Sequence, residues 1–295
     1  MQFLIMYGRD KVKISEGKKL SELTTFRIGG LARYFVRVED VSDFKQAFLW
    51  AKERGVKLLV LGKGSNCLFD DRGFDGLVIL NSIDFCEKAG GEFRVGGGFS
   101  FSRLGVISAK EGFGGLEFAA SIPGTVGGAV FMNAGACGQE TAQVIKEVKH
   151  LDLDGDLKTF GKGEMEFGYR TSVFQKMQGA VVSATFSLEE SLEAREKQCE
   201  KVAYRRATQP LTEPSSGCIF RNPQDKPAGL LIEEAGLKGL TVGGAMISDK
   251  HANFIVNKGG ASSSDVLTLI DRVKVEVEKH CGIELESEVR VIPYE

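Results

Sequence analysis

Leu58-Leu-Val-Leu-Gly-Lys-Gly-Ser-Asn66 is a short apolar run that ends abruptly in Gly-x-Gly-Ser-Asn. Four consecutive aliphatic residues bounded by glycine read as a buried strand feeding a tight turn. Glycines let backbone N–H groups converge into an anion-binding nest, and Ser65 and Asn66 add side-chain donors. A second stretch, Ser121-Ile-Pro-Gly-Thr-Val-Gly-Gly-Ala-Val130 followed by Asn133-Ala-Gly135, sets Pro, Gly and a hydroxyl ahead of two adjacent glycines. Backbone of that kind can lie against a flat or phosphorylated ligand. Neither stretch is a Rossmann G-x-G-x-x-G, and Gly112-Phe-Gly114 fails the pattern at Glu117. Neither is a Walker A, because no Gly-Lys-Ser/Thr occurs. A lone Gly-x-Gly reads first as a turn; two such loops between Gly62 and Gly135 favour a nucleotide or dinucleotide site.

The composition agrees. The chain has 295 residues, 42% hydrophobic and 26% charged, with 37 Gly and 6 Pro. Average usage would give roughly 21 glycines, so glycine is the outlier. Scarce proline and ordinary apolar content exclude Pro/Gly disorder, and the absence of a period of three excludes collagen. Nineteen of the glycines fall between Gly55 and Gly138. Lys and Arg total 38 against 40 acids, a net charge of -2, which argues against a nucleic-acid-coating protein. No apolar run approaches the ~18 residues of a membrane span. The opening stretch, Met1 to Asp10, is short and lacks a basic segment, so it is not read as a secretory signal. The six cysteines are at least 19 residues apart, which leaves no C-x-x-C zinc motif and, with no signal, suits a reducing cytoplasm.

Working outward, Lys57–Leu61, Gly76–Leu80 and Phe93–Val95 read as buried strands. Ser42–Arg54 reads as a helix with Phe44, Ala47, Phe48 and Ala51 on one face, stopped by Gly55. Asp154-Gly155 signals a hairpin between an alternating strand, with polar His150 opposite Leu151, and a return strand over Asp156–Phe160. Glu193–Ala207 is charged and helical, and a domain boundary is placed near residue 200. Ser262-Ser-Ser-Asp265 opens a helix with Val266, Leu269, Ile270, Val273 and Val277 on one face, ended by Gly282. Ile283–Ile292 reads as a strand.

Nine segments in order carry a resemblance. They are Thr25-Phe-Arg-Ile-Gly-Gly30, Leu61–Asn66, Ile122–Val130 with Asn133-Ala-Gly135, Tyr169-Arg-Thr-Ser-Val-Phe174, Gln209-Pro210, Ser216-Gly-Cys-Ile-Phe-Arg-Asn-Pro223, Ala235-Gly-Leu-Lys-Gly239, His251-Ala-Asn-Phe-Ile-Val-Asn257 and Glu288-Val-Arg-Val-Ile292. Together they resemble the UDP-N-acetylenolpyruvoylglucosamine reductases, the MurB flavoenzyme family, from Thr25 to Ile292. The resemblance implies an α+β fold of three domains. Residues 1–80 and 81–200 would form a two-part FAD-binding module of the vanillyl-alcohol-oxidase type, and 201–295 an α/β domain for the UDP-sugar. FAD would be held by Arg27, Gly29, Gly62, Lys63, Gly64, Ser65, Asn66, Pro123, Gly124, Thr125, Gly127, Gly128 and Asn133. Much of the glycine excess would be backbone left bare for it. Only 48 positions separate Arg170 from Cys218, and Tyr204 is the single Tyr between them. This resembles the short subtype that lacks a Tyr-bearing loop over the substrate.

The implied reaction has two halves. NADPH passes a hydride to FAD, and reduced FAD passes it to C3 of the enolpyruvyl ether of UDP-N-acetylglucosamine. Charge then develops on the substrate carboxylate, and C2 needs a proton. By the resemblance Arg170 polarises the carboxylate, as an always-charged fork suits. Glu288 is its acidic partner. Cys218 stands where the familiar pattern has Ser, and a thiol gives up a proton far more readily than a hydroxyl. Tyr169, Asn222, His251 and Asn253 are candidate substrate contacts, with Tyr169 also read as packing beside Arg170. Arg205 and Arg206 read equally as phosphate contacts or as a basic helix end. Glu233 and Glu234 read as solvated helix residues. No metal, nucleic acid or membrane partner is expected, and the chain is expected to be a cytoplasmic monomer. The rivals are an FAD oxidase of a small alcohol or hydroxy acid on the same scaffold, and a catalytically lapsed flavin- or UDP-sugar-binding protein.

Overall fold

The computed structural model describes residues 12–224 and 226–294, so the opening stretch read above lies outside the described residues. The chain divides into two compact units. Of the described residues, the larger holds 12–16, 34–63 and 76–204; the smaller gathers 17–33, 64–75, 205–224 and 226–294. The boundary at 204/205 falls inside the helix Ala194–Thr208. The three contiguous segments read from the sequence differ from this division. The chain leaves the larger unit twice before residue 80, and Phe26, Ile28 and Leu68 from those excursions are buried in the core of the C-terminal part.

In the larger unit the two apolar runs Leu58–Leu61 and 76–81 pair in parallel, Leu58 opposite Leu77 and Leu61 opposite Leu80. The helix Val41–Glu53 is capped by the Asp40 carboxylate, which accepts from Asp43 N. Its buried face is Phe44, Ala47, Phe48 and Ala51, as the spacing predicts. It packs on Val36, Val38, Leu77 and Ile79. A second sheet runs Leu157–Gly161, Ile145–Leu151, Ala180–Ser187, Glu92–Gly96, Cys86–Ala89, antiparallel throughout. The helices Phe101–Lys110 and Val126–Phe131 close its core with Phe101, Leu104, Val126 and Val130.

The predicted hairpin forms around Asp152, whose carboxylate accepts from Asp154 N and Asp156 N, with Gly155 at φ 89°. His150 departs from its predicted polar face. A register shift between Lys149 and His150 breaks the alternation. His150 is buried and stacked on Phe174, ring centroids 5.6 Å apart. Its Nδ1 has no protein partner.

The smaller unit has the antiparallel order Ser215–Cys218, Phe254–Asn257, Ala245–Ile247, Thr241–Val242. The helix Ser263–Cys281 covers it. Ser262 and Asp265 form a reciprocal capping box, Gly282 ends the helix at φ 71°, and all five predicted face residues are buried. The predicted strand over Ile283–Ile292 shrinks to Arg290–Ile292, which pairs in parallel with Cys67–Phe69. The reason is a change of partner: Glu288 N first donates to Ile219 O, and two residues on the segment joins Cys67.

Burial holds the His150 imidazole below its ordinary value, outweighing the attraction of Asp152. The unfolded chain therefore takes up that proton first. Stability present above about pH 6.5 is lost as pH falls through the lowered folded value. His251, also lowered by burial, adds a loss of the same sign. We expect His150→Phe to flatten, but not abolish, the fall of Tm between about pH 7 and 5. An unchanged slope would mean that His150 does not titrate with unfolding.

Candidate active site

In the larger unit, Gly168 and Thr171 exchange two backbone hydrogen bonds of 3.1 Å, making a tight hairpin with Tyr169 and Arg170 at its tip. Arg170 sits at φ 58°, a left-handed conformation that costs a non-glycine residue about 1–2 kcal/mol. Such strain persists only where the surroundings enforce it. Here they do. Gln175 Nε2 donates to Arg170 O at 2.9 Å and to Phe131 O at 2.8 Å, and Ser172 Oγ donates to Phe131 O at 2.8 Å. The Arg170 guanidinium donates to Gly135 O at 3.0 Å and lies over the Tyr169 ring, 5.1 Å from its centroid. Tyr169 is itself exposed. Ser172 and Gln175 were not singled out from the sequence. Ser172 lies inside the Tyr169–Phe174 motif, whereas nothing in the sequence distinguishes Gln175.

Asn133, expected at the cofactor, is fully buried. Its Oδ1 accepts from Ala142 N at 2.9 Å, and its Nδ2 donates to Gly168 O at 2.9 Å. The side chain is committed to the foot of the Arg170 hairpin.

Gly62, at the start of the first glycine-rich loop, meets the second one in this unit. A Cβ on Gly62 would lie 2.3 Å from Thr125 Oγ1. Thr125 caps the helix Val126–Phe131, accepting from Gly128 N. Gly124 O accepts from Phe101 N, Gly127 N donates to Gly97 O, and Pro123 and Lys63 are exposed. Much of the glycine cluster is bare for the protein's own backbone. A Cβ on Gly96 or Gly97 would come within 2.2 Å of a carbonyl oxygen, and one on Gly98 or Gly105 within 2.6 Å of a backbone atom. Gly128 is different. It is exposed, its φ is not positive, and a Cβ there would meet only Thr125 Oγ1 at an ordinary 3.5 Å.

In the smaller unit, Cys218 ends a strand that carries an extra residue. Ser215 pairs with Val256 and Cys218 with Phe254, three steps on one strand against two on the other. Gly217 absorbs the bulge at φ 81°. Cys218 is half-buried and is not in a disulfide. Beyond it Ile219 O accepts from Glu288 N at 2.7 Å, and Phe220 bridges to Ser287. The thiol-bearing and carboxyl-bearing segments are thus neighbouring backbone. Asn66 ties in from below: its Nδ2 donates to Glu288 O at 3.2 Å and its carbonyl accepts from Arg290 N. Burial pushes the next residue, Cys67, up to about 11, so that thiol stays neutral.

Asn253, expected at the substrate, is 2% exposed. Its Oδ1 accepts from Phe220 N at 2.9 Å and its Nδ2 donates to Phe220 O at 2.8 Å. His251 Nδ1 accepts from Asn253 N at 3.3 Å, which leaves the ring proton on Nε2. Burial lowers His251, favouring the neutral ring. Asn222 is exposed and its Oδ1 accepts from Ala228 N, the first residue of the helix Ala228–Glu234. Glu233 and Glu234 on that helix pair with Lys238 and Lys226. Arg205 donates to Gln209 Oε1 at 2.8 Å. Gly64 is at φ 58° against Leu23 and Thr24, its carbonyl accepting from Thr25 N, and Ser65 is half-buried beside it. Gly29 is bare because a Cβ would strike Phe69 Cβ at 2.8 Å, and Arg27 is exposed at φ 56°.

Two family models match the chain: an FAD-binding domain over residues 32–161 and the C-terminal domain of UDP-N-acetylenolpyruvoylglucosamine reductase over 209–292. The reductase of Protochlamydia amoebophila (strain UWE25) is 52% identical, over 94% of this chain and 93% of that protein. The reductase of Chlamydia felis (strain Fe/C-56) is 46% identical, over 95% of each. The crystal structure of UDP-N-acetylenolpyruvylglucosamine reductase (MurB) from Thermus caldophilus superposes with a TM-score of 0.80 at 36% identity, covering 96% of this chain and 99% of that one. On this similarity, held over nearly its whole length, the chain belongs to the UDP-N-acetylenolpyruvoylglucosamine reductase family.

Proposed function

We propose that Arg170, Cys218 and Glu288 are the groups with which this flavin-dependent reductase acts on the enolpyruvyl ether of UDP-N-acetylglucosamine. Membership of the family makes the reaction the NADPH-driven reduction of that ether to UDP-N-acetylmuramate, a step of peptidoglycan precursor synthesis. The oxidase alternative is not favoured, since the relatives at 52% and 46% identity are reductases by name. Among the described residues no helix is long and apolar enough to cross a membrane. A cytoplasmic monomer with no nucleic-acid partner is the reading we adopt.

The observation that carries the assignment is the backbone pairing around Cys218. Glu288 N reaches Ile219 O at 2.7 Å, so one short frame holds both the thiol and the carboxyl. FAD, when bound, supplies the reducing equivalent. The protein supplies a proton and a cation. A protonated thiol can give its proton to the substrate carbon far more readily than a hydroxyl can. The Arg170 fork, held in a strained turn, suits the substrate carboxylate as charge develops on it. Glu288 in its neutral form would stabilise the same charge by donating to it. Asn222 and His251 remain the proposed contacts to the UDP-sugar.

Gly128 tests whether the chain fits FAD. Glycine inside a helix costs about 1 kcal/mol relative to alanine, and no neighbour or backbone angle requires it here. A ligand that must approach the backbone closely supplies the missing reason. The loop 62–66 and the segment Pro123, Gly124, Thr125, Gly127 and Gly128 are therefore assigned to the cofactor.

Two outcomes check the reading. Gly128→Ala should leave apoprotein stability unchanged or slightly raised while weakening FAD roughly tenfold, about 1.4 kcal/mol, in a flavin titration. Undiminished affinity would remove Gly128 from the cofactor wall. In anaerobic stopped flow, NADPH should bleach the flavin and UDP-N-acetylglucosamine enolpyruvate should restore it. Cys218→Ala should bleach normally yet recover at least about 100-fold more slowly, with Cys218→Ser intermediate. Normal recovery in the alanine variant would refute the proton-donor role.

A further inference from the structure

Asn253 uses its whole carboxamide on one peptide. The amide oxygen takes the Phe220 N–H at 2.9 Å and the amide nitrogen gives to the Phe220 carbonyl at 2.8 Å, while Asn253 O accepts from Ile219 N at 2.9 Å. This is the hydrogen-bonding pattern of a strand residue, made by a side chain. The reason lies in the local path. The bulge at Ser216–Gly217 shifts the register, so Cys218 faces Phe254 and the ladder ends there. The partner strand cannot continue, because its chain turns back at His251, whose carbonyl accepts from Phe254 N. Phe220, nearly fully buried, would otherwise hold an unpaired N–H and C=O. Across the same short segment stands Glu288, through its hydrogen bond to Ile219 O.

We propose that Asn253 is a positioning residue for the second half-reaction. By completing the ladder past Cys218, its carboxamide fixes the spacing between the Cys218 thiol and the Glu288 carboxyl, and it makes no contact with substrate. The proposal rests on the roles assigned above to Cys218 and Glu288.

Asn253→Asp is the discriminating variant. It keeps size and shape, and an ionised carboxylate still accepts from Phe220 N. It has nothing to donate to Phe220 O until it is protonated. Flavin recovery by UDP-N-acetylglucosamine enolpyruvate should be slowed roughly 10- to 100-fold at pH 8, in the maximal rate and not in the half-saturating concentration. The deficit should shrink as pH falls to 6, while bleaching by NADPH stays within about twofold of wild type. Asn253→Leu should show the deficit with no recovery at low pH. His251, which accepts from Asn253 N, and the carboxyls of Glu288 and Glu286 across the strand are present in wild type as well. The ratio of variant to wild type at each pH therefore isolates the new carboxyl.

A variant matching wild type at every pH would overturn the positioning role. So would a deficit confined to half-saturation, which would make Asn253 a substrate contact, or an equal deficit in NADPH bleaching. A wild-type protein that bleaches but never recovers with this substrate would overturn the assigned reaction, and the positioning role with it.

Discussion

A buried peptide group must be paired, and the loops that carry Arg170, Cys218 and Glu288, the proposed catalytic side chains, cannot pair within a regular sheet. Asparagine side chains supply the missing partners. Asn133 holds Gly168 O, two residues before Arg170. Asn253 holds both polar atoms of Phe220, two residues after Cys218. Asn66 holds the carbonyl of Glu288 itself. A carboxamide suits the task because it offers donor and acceptor on one rigid, uncharged plane. An unmade bond to a buried group would cost about 1–3 kcal/mol, enough to let a loop choose another path.

The same constraint explains the backbone strain. Arg170 occupies a conformation that side-chain-bearing residues avoid, and Gly217 occupies another that re-aims Cys218. Each is flanked by the hydrogen bonds that enforce it. Strain at Arg170 and a glycine-only conformation at Gly217 are therefore each braced, beside two of the proposed catalytic side chains.

Regular elements were legible in the sequence because their signals are local. The helix Ser263–Cys281 shows its cap, its buried face and its glycine stop in the residue order alone. Features that depend on a partner strand were not legible. His150 turns inward because of a register shift, and Ile283–Ile292 loses regularity because it serves two partners in succession. The peptide partners of Asn133 and Asn253 were not legible either, because an amide beside a motif reads the same whether it faces a ligand or a peptide. The glycine excess divides along the same line. The cluster is visible in sequence, but Gly97 is bare for Val181 O, whereas Gly128 has no such neighbour.

Hydrogen exchange of individual backbone amides tests the bracing most directly. Ala142 N–H and Phe220 N–H each donate to an asparagine side-chain oxygen. They should exchange as slowly as ladder amides in the central strands Ile145–Leu151 and Ala180–Ser187. Exchange of these two amides at the rate of exposed loops would contradict the claim that buried carboxamides hold the Arg170 and Cys218 segments in place.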